Sequence, residues 1–263
     1  ENGLSGSHHY KHQKTKTMKN FWMPLFTFAL LLTFGASFSS CERDEDEMEV
    51  ASISDEEILE IVSGATLSSS EGITAEALEM TAVADEITQE GQQLSSCGET
   101  VDSTFNRIID LDRITGEYNN YLFWGFTCNE LQLPVSIFFG REMSGNYETQ
   151  RWLSNDAATS EWTINNLLAG SNYVFDGRYE RNGTQESKVR EMRAFTSTIV
   201  IEIEDLNISK SQPEITSGIA SYTLSGTVNG ETSFNHEGTI VFLGDGTANV
   251  IINGTTYTID LNP

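Results

Sequence analysis

The sequence predicts a mainly β protein, an antiparallel meander preceded by a short helical segment. From about Ser103 onward, apolar and polar residues alternate with the period of two that is typical of strands. Short Asn-Gly and Gly-Asp-Gly turns separate these runs, which favours neighbouring antiparallel strands. No long helical pattern interrupts them, which argues against a parallel α/β sheet. A curved sheet, an open barrel or a sandwich would satisfy all three observations.

The first 40 residues have the pattern of an export signal. Met18 and the lysine after it are typical of the basic start of a signal peptide, so we expect residues 1–17 to be a non-native or upstream extension. The apolar run 21–34 has 14 residues, whereas a bilayer span needs about 20. It therefore fits the hydrophobic part of a lipoprotein signal peptide over residues 18–40, with an uncleaved membrane anchor as the alternative.

Cys41 lies between small residues and an acidic stretch. Ser39 and Ser40 precede it, and residues 42–47 are acidic apart from Arg43. This order is typical of a cut site whose cysteine then carries lipid. Two or more acyl chains hold a protein stably at a membrane, whereas a single chain binds only reversibly. We therefore predict lipidation of Cys41 and an acidic, solvated tether over residues 41–53.

The segment Phe38-Ser39-Ser40-Cys41 resembles a lipobox, and the acidic run after it resembles the surface-export signal of Bacteroidota lipoproteins. The resemblance covers residues 18–47, and it departs from the family at Phe38, where Leu or Val is usual. It implies a diacylated cysteine at the mature N-terminus. It also implies attachment to the outer membrane, facing the cell exterior.

The chain is strongly acidic, with 39 Asp and Glu against 15 Lys and Arg and a formal net charge of −24. Proteins that bind nucleic acids gain most of their affinity from basic side chains on phosphates. The composition therefore argues against a nucleic-acid partner. It leaves open a glycan, a cation or a protein as partner, besides the membrane contacted through the lipid.

The three cysteines divide into one lipid carrier and one pair. Cys97 and Cys128 are the two that remain after Cys41, and an exported protein lies in an oxidising compartment where disulfides persist. We predict a disulfide between them, which would stabilise the fold by about 3 to 4 kcal/mol on the chain-entropy model. A reactive or metal-binding thiol pair is the alternative, but it has no neighbouring histidine.

Residues 54–95 predict a short helical segment. Ser54 begins a first helix that has acids in its first turn and ends before Gly64. A second helix is predicted over residues 74–89, with a narrow apolar stripe formed by Ala75, Leu78, Ala82 and Ile87. Because isolated helices of this length are marginal, a mobile stalk with fluctuating helicity is the alternative.

Residues 96–263 predict an antiparallel β domain of nine to ten strands. The clearest strand-like runs are 121–128, 135–139, 198–208, 222–228, 239–243, 248–252 and 257–261. The predicted turns between strands are Asn182-Gly183, Asn229-Gly230, Gly244-Asp245-Gly246 and Asn253-Gly254. Asn-Gly suits such turns because both central residues of a type I′ turn need positive φ.

The C-terminal portion also resembles uncharacterised β-rich lipoproteins of the Bacteroidota. The similarity lies in the Gly-Thr-Ile-Val-Phe strand at 238–242, the Gly-Asp-Gly turn at 244–246 and the last hairpin, which ends in Tyr-Thr-Ile-Asp at 257–260. It covers roughly residues 100–263. The resemblance implies a β-rich body and no particular activity.

The sequence contains no recognisable catalytic constellation, so no catalytic residue, metal ligand or cofactor is predicted. His236 is the sole histidine after Cys41, which excludes zinc sites built from several histidines and leaves one residue for any Ser-His-Asp triad. Nucleophile elbows, phosphate-cradling loops and dinucleotide fingerprints are absent from the sequence. Carboxylates are abundant, so a glycosidase that uses a pair of acids stays open.

Trp152 is the candidate ligand-binding residue. It lies between strand-like runs in sequence typical of a loop, where an exposed ring could stack on a ligand, although aromatic residues are more often buried.

The leading hypothesis is an outer-membrane-anchored surface lipoprotein with a non-catalytic binding or envelope-structural role. One alternative is a carboxylate-dependent polysaccharide hydrolase or a glycan-binding module. The other is a carrier that holds a hydrophobic ligand in a concave sheet.

Overall fold

The computed structural model describes residues 52–89, 97–189 and 192–262. Two helices come first, α1 (Asp55–Thr66) and α2 (Ile73–Gln89), with a 3₁₀ turn at Ser68–Ser70 between them. Ten strands follow: β1 (Thr100–Leu111), β2 (Ile114–Cys128), β3 (Pro134–Thr149), β4 (Trp152–Asn165), β5 (Asn172–Ser187), β6 (Ala194–Ser209), β7 (Ile215–Val228), β8 (Thr232–Phe242), β9 (Thr247–Ile252) and β10 (Thr255–Asp260).

The ten strands form one antiparallel meander. Each strand pairs with the next one in the chain, so the order in space is the order in sequence. The sheet is not closed, and β1 and β10 are its two edges. The predicted mainly β fold, an antiparallel meander after a short helical segment, is confirmed.

The sheet curls around the helical segment. The carboxylate of Glu71 lies 3.2 Å from the Arg107 guanidinium on β1 and 2.6 Å from that of Arg141 on β3. Three residues earlier, the Ser68 hydroxyl donates to the carbonyl of Leu261, just after β10, at 2.9 Å. Because one short turn contacts both ends of the meander, the sheet must curve. We call the side that holds the helices the inner face and the opposite side the outer face.

The hydrophobic core lies between the helices and the inner face. Alternation along the strands turns large side chains inward, such as Tyr118 on β2 and Phe175 on β5. They pack with the buried side chains of α1 (Ile58, Ile61, Val62, Ala65) and α2 (Ile73, Ala77, Met80, Ala84). The helical segment is thus part of the core, which does not fit the alternative of a mobile stalk.

Helix α1 begins as predicted. The backbone N–H of Glu57 donates to the Ser54 hydroxyl, and the Glu57 carboxylate accepts from the backbone N–H of Ser54 at 2.9 Å, which completes a capping box. The helix continues past Gly64 to Thr66, so its predicted end is wrong by about one turn.

The predicted apolar stripe of α2 is wrong at Ala82, and the side chain of Ile87, its last member, lies outside the described residues. Ala82 is exposed and Leu78 is half-buried, whereas the buried face is Ile73, Ala77, Met80 and Ala84. The buried face also includes Glu76, which points at Arg141 of the sheet. The buried face therefore includes a charged residue, which a pattern of hydrophobicity alone would assign to the exposed face.

Most predicted turns are present and one is not. Asn229-Gly230 and Asn253-Gly254 are hairpin turns in which all four residues have positive φ. Asn182-Gly183, in contrast, lies inside β5, where Asn182 pairs with Ala157 on β4 and with Thr198 on β6. Pairing on both sides holds this dipeptide extended and overrides its turn propensity.

Candidate functional site

The inner face carries a buried charge cluster centred on Arg141. Its guanidinium donates to Glu71 at 2.6 Å and to the Asn120 side-chain oxygen at 2.6 and 2.9 Å, and it lies 3.7 Å from Glu76. The Trp162 indole N–H donates to the other oxygen of Glu76 at 2.9 Å. Arg141 is 0% exposed at its side chain and Glu71 is 3% exposed. Two acids of the helical segment are thus held by one arginine of β3.

A second buried arginine, Arg181 on β5, holds the turn between the helices. Its guanidinium donates to the backbone carbonyls of Gly64 and Ser70, the latter at 3.0 Å. It also contacts the Asp156 carboxylate on β4 at 2.9 Å and lies over the Tyr147 ring at 5.4 Å. These contacts satisfy carbonyls at the C-terminal ends of α1 and the 3₁₀ turn.

Ion pairs in this cluster link the helices to the sheet. Burial raises the pKa of Glu76, although attraction to Arg141 and the hydrogen bond from Trp162 oppose the shift. Burial lowers the pKa of Arg141, but the nearby Glu76 and Glu71 carboxylates outweigh it and the pKa is raised. With its charges paired and little exposed, the cluster acts as a clamp between helices and sheet. It offers no surface to a substrate.

The outer face carries a groove of about 620 Å³ across β2 to β6. Its lining includes Phe123 and Phe138 on β2 and β3, together with Glu161, Asp176, Arg178, Glu202 and Glu204 on β4 to β6. One register row crosses all five strands, through Phe123, Gly140, Glu161, Arg178 and Glu202. Aromatic rings therefore lie at one end of the groove and carboxylates at the other.

The two phenylalanine rings are held against the sheet by glycines. Phe123 lies across from Gly140, and Phe138 across from Gly125, in the β2–β3 register. A Cβ atom at Gly140 would clash with the Phe123 ring, and a Cβ atom at Gly125 would clash with the Phe138 ring. Each ring thus covers backbone that has no side chain of its own, an arrangement known to compensate for glycine in strands. Both rings remain half-exposed on the groove side.

Charge in the groove is unbalanced. Arg178 is its one basic lining residue, and it donates to Glu202 at 2.9 Å and to the neighbouring Glu180 at 2.7 Å. Within the described residues, the carboxylates of Glu161 and Glu204 have neither a hydrogen bond nor an ion pair, and both are exposed. The acidic end of the groove therefore has carboxylates to offer to a ligand.

A β-bulge shapes this acidic end. The pairing of β5 with β6 shifts between Phe175 and Gly177, and Asp205 takes a φ of 51°. The backbone N–H of Asp205 donates to the Asp176 carboxylate at 2.9 Å, which ties the bulge to the groove lining. Bulges bend a strand locally and are enriched beside binding sites.

The predicted disulfide between Cys97 and Cys128 is confirmed, with its Cα atoms 5.9 Å apart. It ties the residues before β1 to the end of β2. Cys41, the predicted lipidation site, and the signal segment over residues 18–40 lie outside the described residues.

Trp152 does not lie in a loop. It begins β4, is 2% exposed, and stacks on Phe195 with 5.4 Å between ring centroids. The strand buries the ring because Trp152 takes an inward position of the β4 alternation. Its burial removes the exposure for which it was singled out as a ligand-binding residue.

In the part of the chain that the structure describes, no group of three or more His, Cys, Asp or Glu side chains is placed to hold a metal ion. No helix in that part has the length and hydropathy to cross a membrane. Comparison of the chain with known protein families, curated proteins and solved structures finds no match.

Proposed function

We propose that this chain is a lipoprotein anchored to the outer membrane, facing the cell exterior, whose β body binds a partner without catalysing a reaction. The anchor is supported by the residue order around Cys41, with a hydrophobic segment before it and acids after it. The observation that carries the binding role is the groove across β2 to β6. It is of a size that binding sites have, about 300 to 1,000 Å³.

The inner face does not support the alternative of a hydrophobic-ligand carrier. Side chains such as Ile58 and Met80, both 0% exposed, fill the space that a carried ligand would need. A cavity beside Arg181 measures only about 10 Å³. A ligand could enter the concave side only if the helices left it, against the buried ion pairs of Arg141.

The hydrolase alternative draws on the carboxylates of the groove. Glu161, Glu202 and Glu204 are exposed on the sheet surface, and Glu202 is already paired with Arg178. Glycosidases place their two acids on either side of the scissile bond in a site that excludes water. An open sheet surface suits binding better than this chemistry.

Lipidation is tested by growing cells with an alkyne-tagged palmitate and comparing the wild type with Cys41→Ala. We expect the label and the membrane association to disappear in the variant. As a matched control, a variant with Cys97→Ser and Cys128→Ser should keep the label, because it removes thiols outside the lipidation site. Label that persists in Cys41→Ala would contradict the anchor. Protease added to intact cells should degrade the β body, and full protection would contradict the outward orientation.

The absence of catalysis is tested by incubating the purified full-length protein with cell-wall and capsular polysaccharides and measuring reducing ends. We expect no release above the background of a boiled sample. Release that Glu161→Gln abolishes would overturn the non-catalytic proposal and support the hydrolase.

A further inference from the structure

We infer that the outer-face groove takes an extended basic peptide segment of a partner protein, with arginine or lysine side chains on its carboxylates. The inference rests on the proposed binding function and names the class of partner. It depends on charge, on the aromatic end of the groove and on the length of the groove.

Charge complementarity selects a cation. Four carboxylates and one guanidinium line the groove, and Glu161 and Glu204 have no partner within the described residues. A neutral ligand that covered them would remove water from two carboxylates without supplying a counter-charge, which is costly. A cation replaces that water with charge-assisted hydrogen bonds, about twice as strong as neutral ones. The net charge of −24 would also attract a basic partner from a distance.

Arg178 shows that carboxylates of this sheet accept a guanidinium. Its two terminal nitrogens reach Glu180 on its own strand and Glu202 on the next, at 2.7 and 2.9 Å. A planar guanidinium can therefore lie along the sheet surface and donate to two acids at once. The arginine of a bound peptide would make the same kind of contact with Glu161 or Glu204.

The aromatic end of the groove also favours a cation. Phe123 and Phe138 are half-exposed and fixed against Gly140 and Gly125. A cation over the face of an aromatic ring is attracted by the negative charge of that face, also at exposed sites. The aliphatic stem of lysine or arginine can cover the same ring while its charged end reaches an acid. A sugar could use the rings but would leave the free carboxylates without a counter-charge.

The length of the groove fits a short peptide. Neighbouring strands lie about 4.8 Å apart, so the distance from β2 to β6 is about 19 Å. An extended chain advances about 3.4 Å per residue, so five to six residues would cross the groove. The register row from Phe123 to Glu202 runs along this path.

The test uses the full-length protein in detergent and a fluorescein-labelled hexapeptide of alternating glycine and arginine, with fluorescence anisotropy as the readout. The control peptide carries citrulline, which keeps the shape of arginine without its charge. We expect the citrulline peptide to bind at least tenfold more weakly. Added salt should weaken binding of the arginine peptide, because it screens exposed charges.

Variants then locate the site. The double variant Glu161→Gln and Glu204→Gln should lose at least tenfold in affinity. Glu231→Gln and Glu237→Gln, which remove the same charge from exposed positions outside the groove lining, should stay within twofold. Phe123→Leu should weaken binding severalfold. Because the ring also covers Gly140, the melting curve of the variant sets a temperature at which it is folded, and binding is measured there.

Equal losses in both double variants would show that only overall charge matters, and would overturn the groove as the site. Binding of a neutral hexasaccharide such as maltohexaose, with no binding of the arginine peptide, would overturn the basic-peptide inference. That outcome would leave the proposed surface-binding function intact. Failure of the lipid-labelling experiment would affect the anchor alone, so the two failures are distinguishable.

Discussion

The two faces of this sheet treat arginine in opposite ways. On the inner face, the side chain of Arg141 is 0% exposed and that of Arg181 is 6% exposed, and both hold the helical segment. On the outer face, the side chain of Arg178 is 45% exposed and lies among carboxylates, two of which have no partner within the described residues. On the inner face, the acids that pair with Arg141 belong to the chain's own helical segment. On the outer face, two acids have no partner within the described residues, as expected of a surface that binds an external cation.

The same contrast predicts that substitutions on the two faces lower the free energy of unfolding by different amounts. Removing one member of a buried ion pair leaves a charge without water or counter-ion, whereas exposed pairs are screened and contribute little. Comparing the stability losses on the two faces therefore tests whether the inner cluster is a structural clamp and the outer groove is not.

The largest effect is expected for Arg141→Leu. The change leaves Glu71 and Glu76 buried without their arginine, so the free energy of unfolding should fall by about 3 to 5 kcal/mol. Urea denaturation measures it. Arg178→Leu is the matched control on the outer face, and it should cost less than about 1 kcal/mol. Similar losses at both arginines would contradict the contrast between the faces.

Glu71→Gln should come next, with a loss of about 1.5 to 3 kcal/mol because hydrogen bonds to charged groups are lost. The Glu71 carboxylate lies 2.6 Å from Arg141 and 3.2 Å from Arg107. Glu76→Gln should destabilise less, since the surroundings of Glu76 already disfavour its charged form. The same urea titrations rank the two variants, and the reverse order would show that Glu76 is the main partner of the arginine.

The pH dependence of Glu76 gives a third test. Burial raises its pKa in the folded state above the ordinary value of 4.5, so the folded protein takes up this proton before the unfolded chain does. The ionised form costs stability at neutral pH. That cost is relieved as the pH falls from above the raised pKa toward 4.5. The stability of the wild type relative to Glu76→Gln should therefore increase as the pH falls from 7 toward 4.5. A difference that does not change with pH would argue against a buried, titrating Glu76.

The smallest effect is expected for the double variant Glu161→Gln and Glu204→Gln. Both side chains are exposed and neither has a partner within the described residues, so stability should change by no more than about 0.5 kcal/mol. Thermal unfolding followed by circular dichroism measures the change. A large loss would mean that these acids hold the fold together, and would weaken the case for a binding surface.

Local chemistry made much of the fold predictable. Local preferences that act over a few positions predict the Ser54 and Glu57 capping box and the turns at Asn229-Gly230 and Asn253-Gly254. The disulfide was predictable because Cys97 has Cys128 as its one remaining partner. The antiparallel meander follows in turn from short turns between alternating runs.

Strand β4 was not predicted from the sequence, because its inward positions are not all apolar. Ser154, Asp156 and Ser160 alternate inward with Trp152 and Trp162, so the period of two is not one of hydrophobicity. Asp156 lies inward because Arg181 meets it there, 25 residues away in sequence. A buried polar partner distant in the chain leaves no local signal.

The candidate sites were predictable only in part, for the same reason. Glu202 and Glu204 fall on one face of the strand predicted over residues 198–208, but the sequence does not reveal that Phe123 lies in the same register row. Arg141 and Glu71 are 70 residues apart, and only the curvature of the sheet brings them together.

The contacts between the helical segment and the last hairpin constrain the order of assembly. Asn253 donates to Asp55 across 198 residues of sequence, and Ser68 donates to the carbonyl of Leu261 across 193. Contacts this distant in the chain are slow to form, because a long loop must close first. The helical segment is synthesised before any strand, yet its contacts with the last hairpin therefore form only after the final strands are in place.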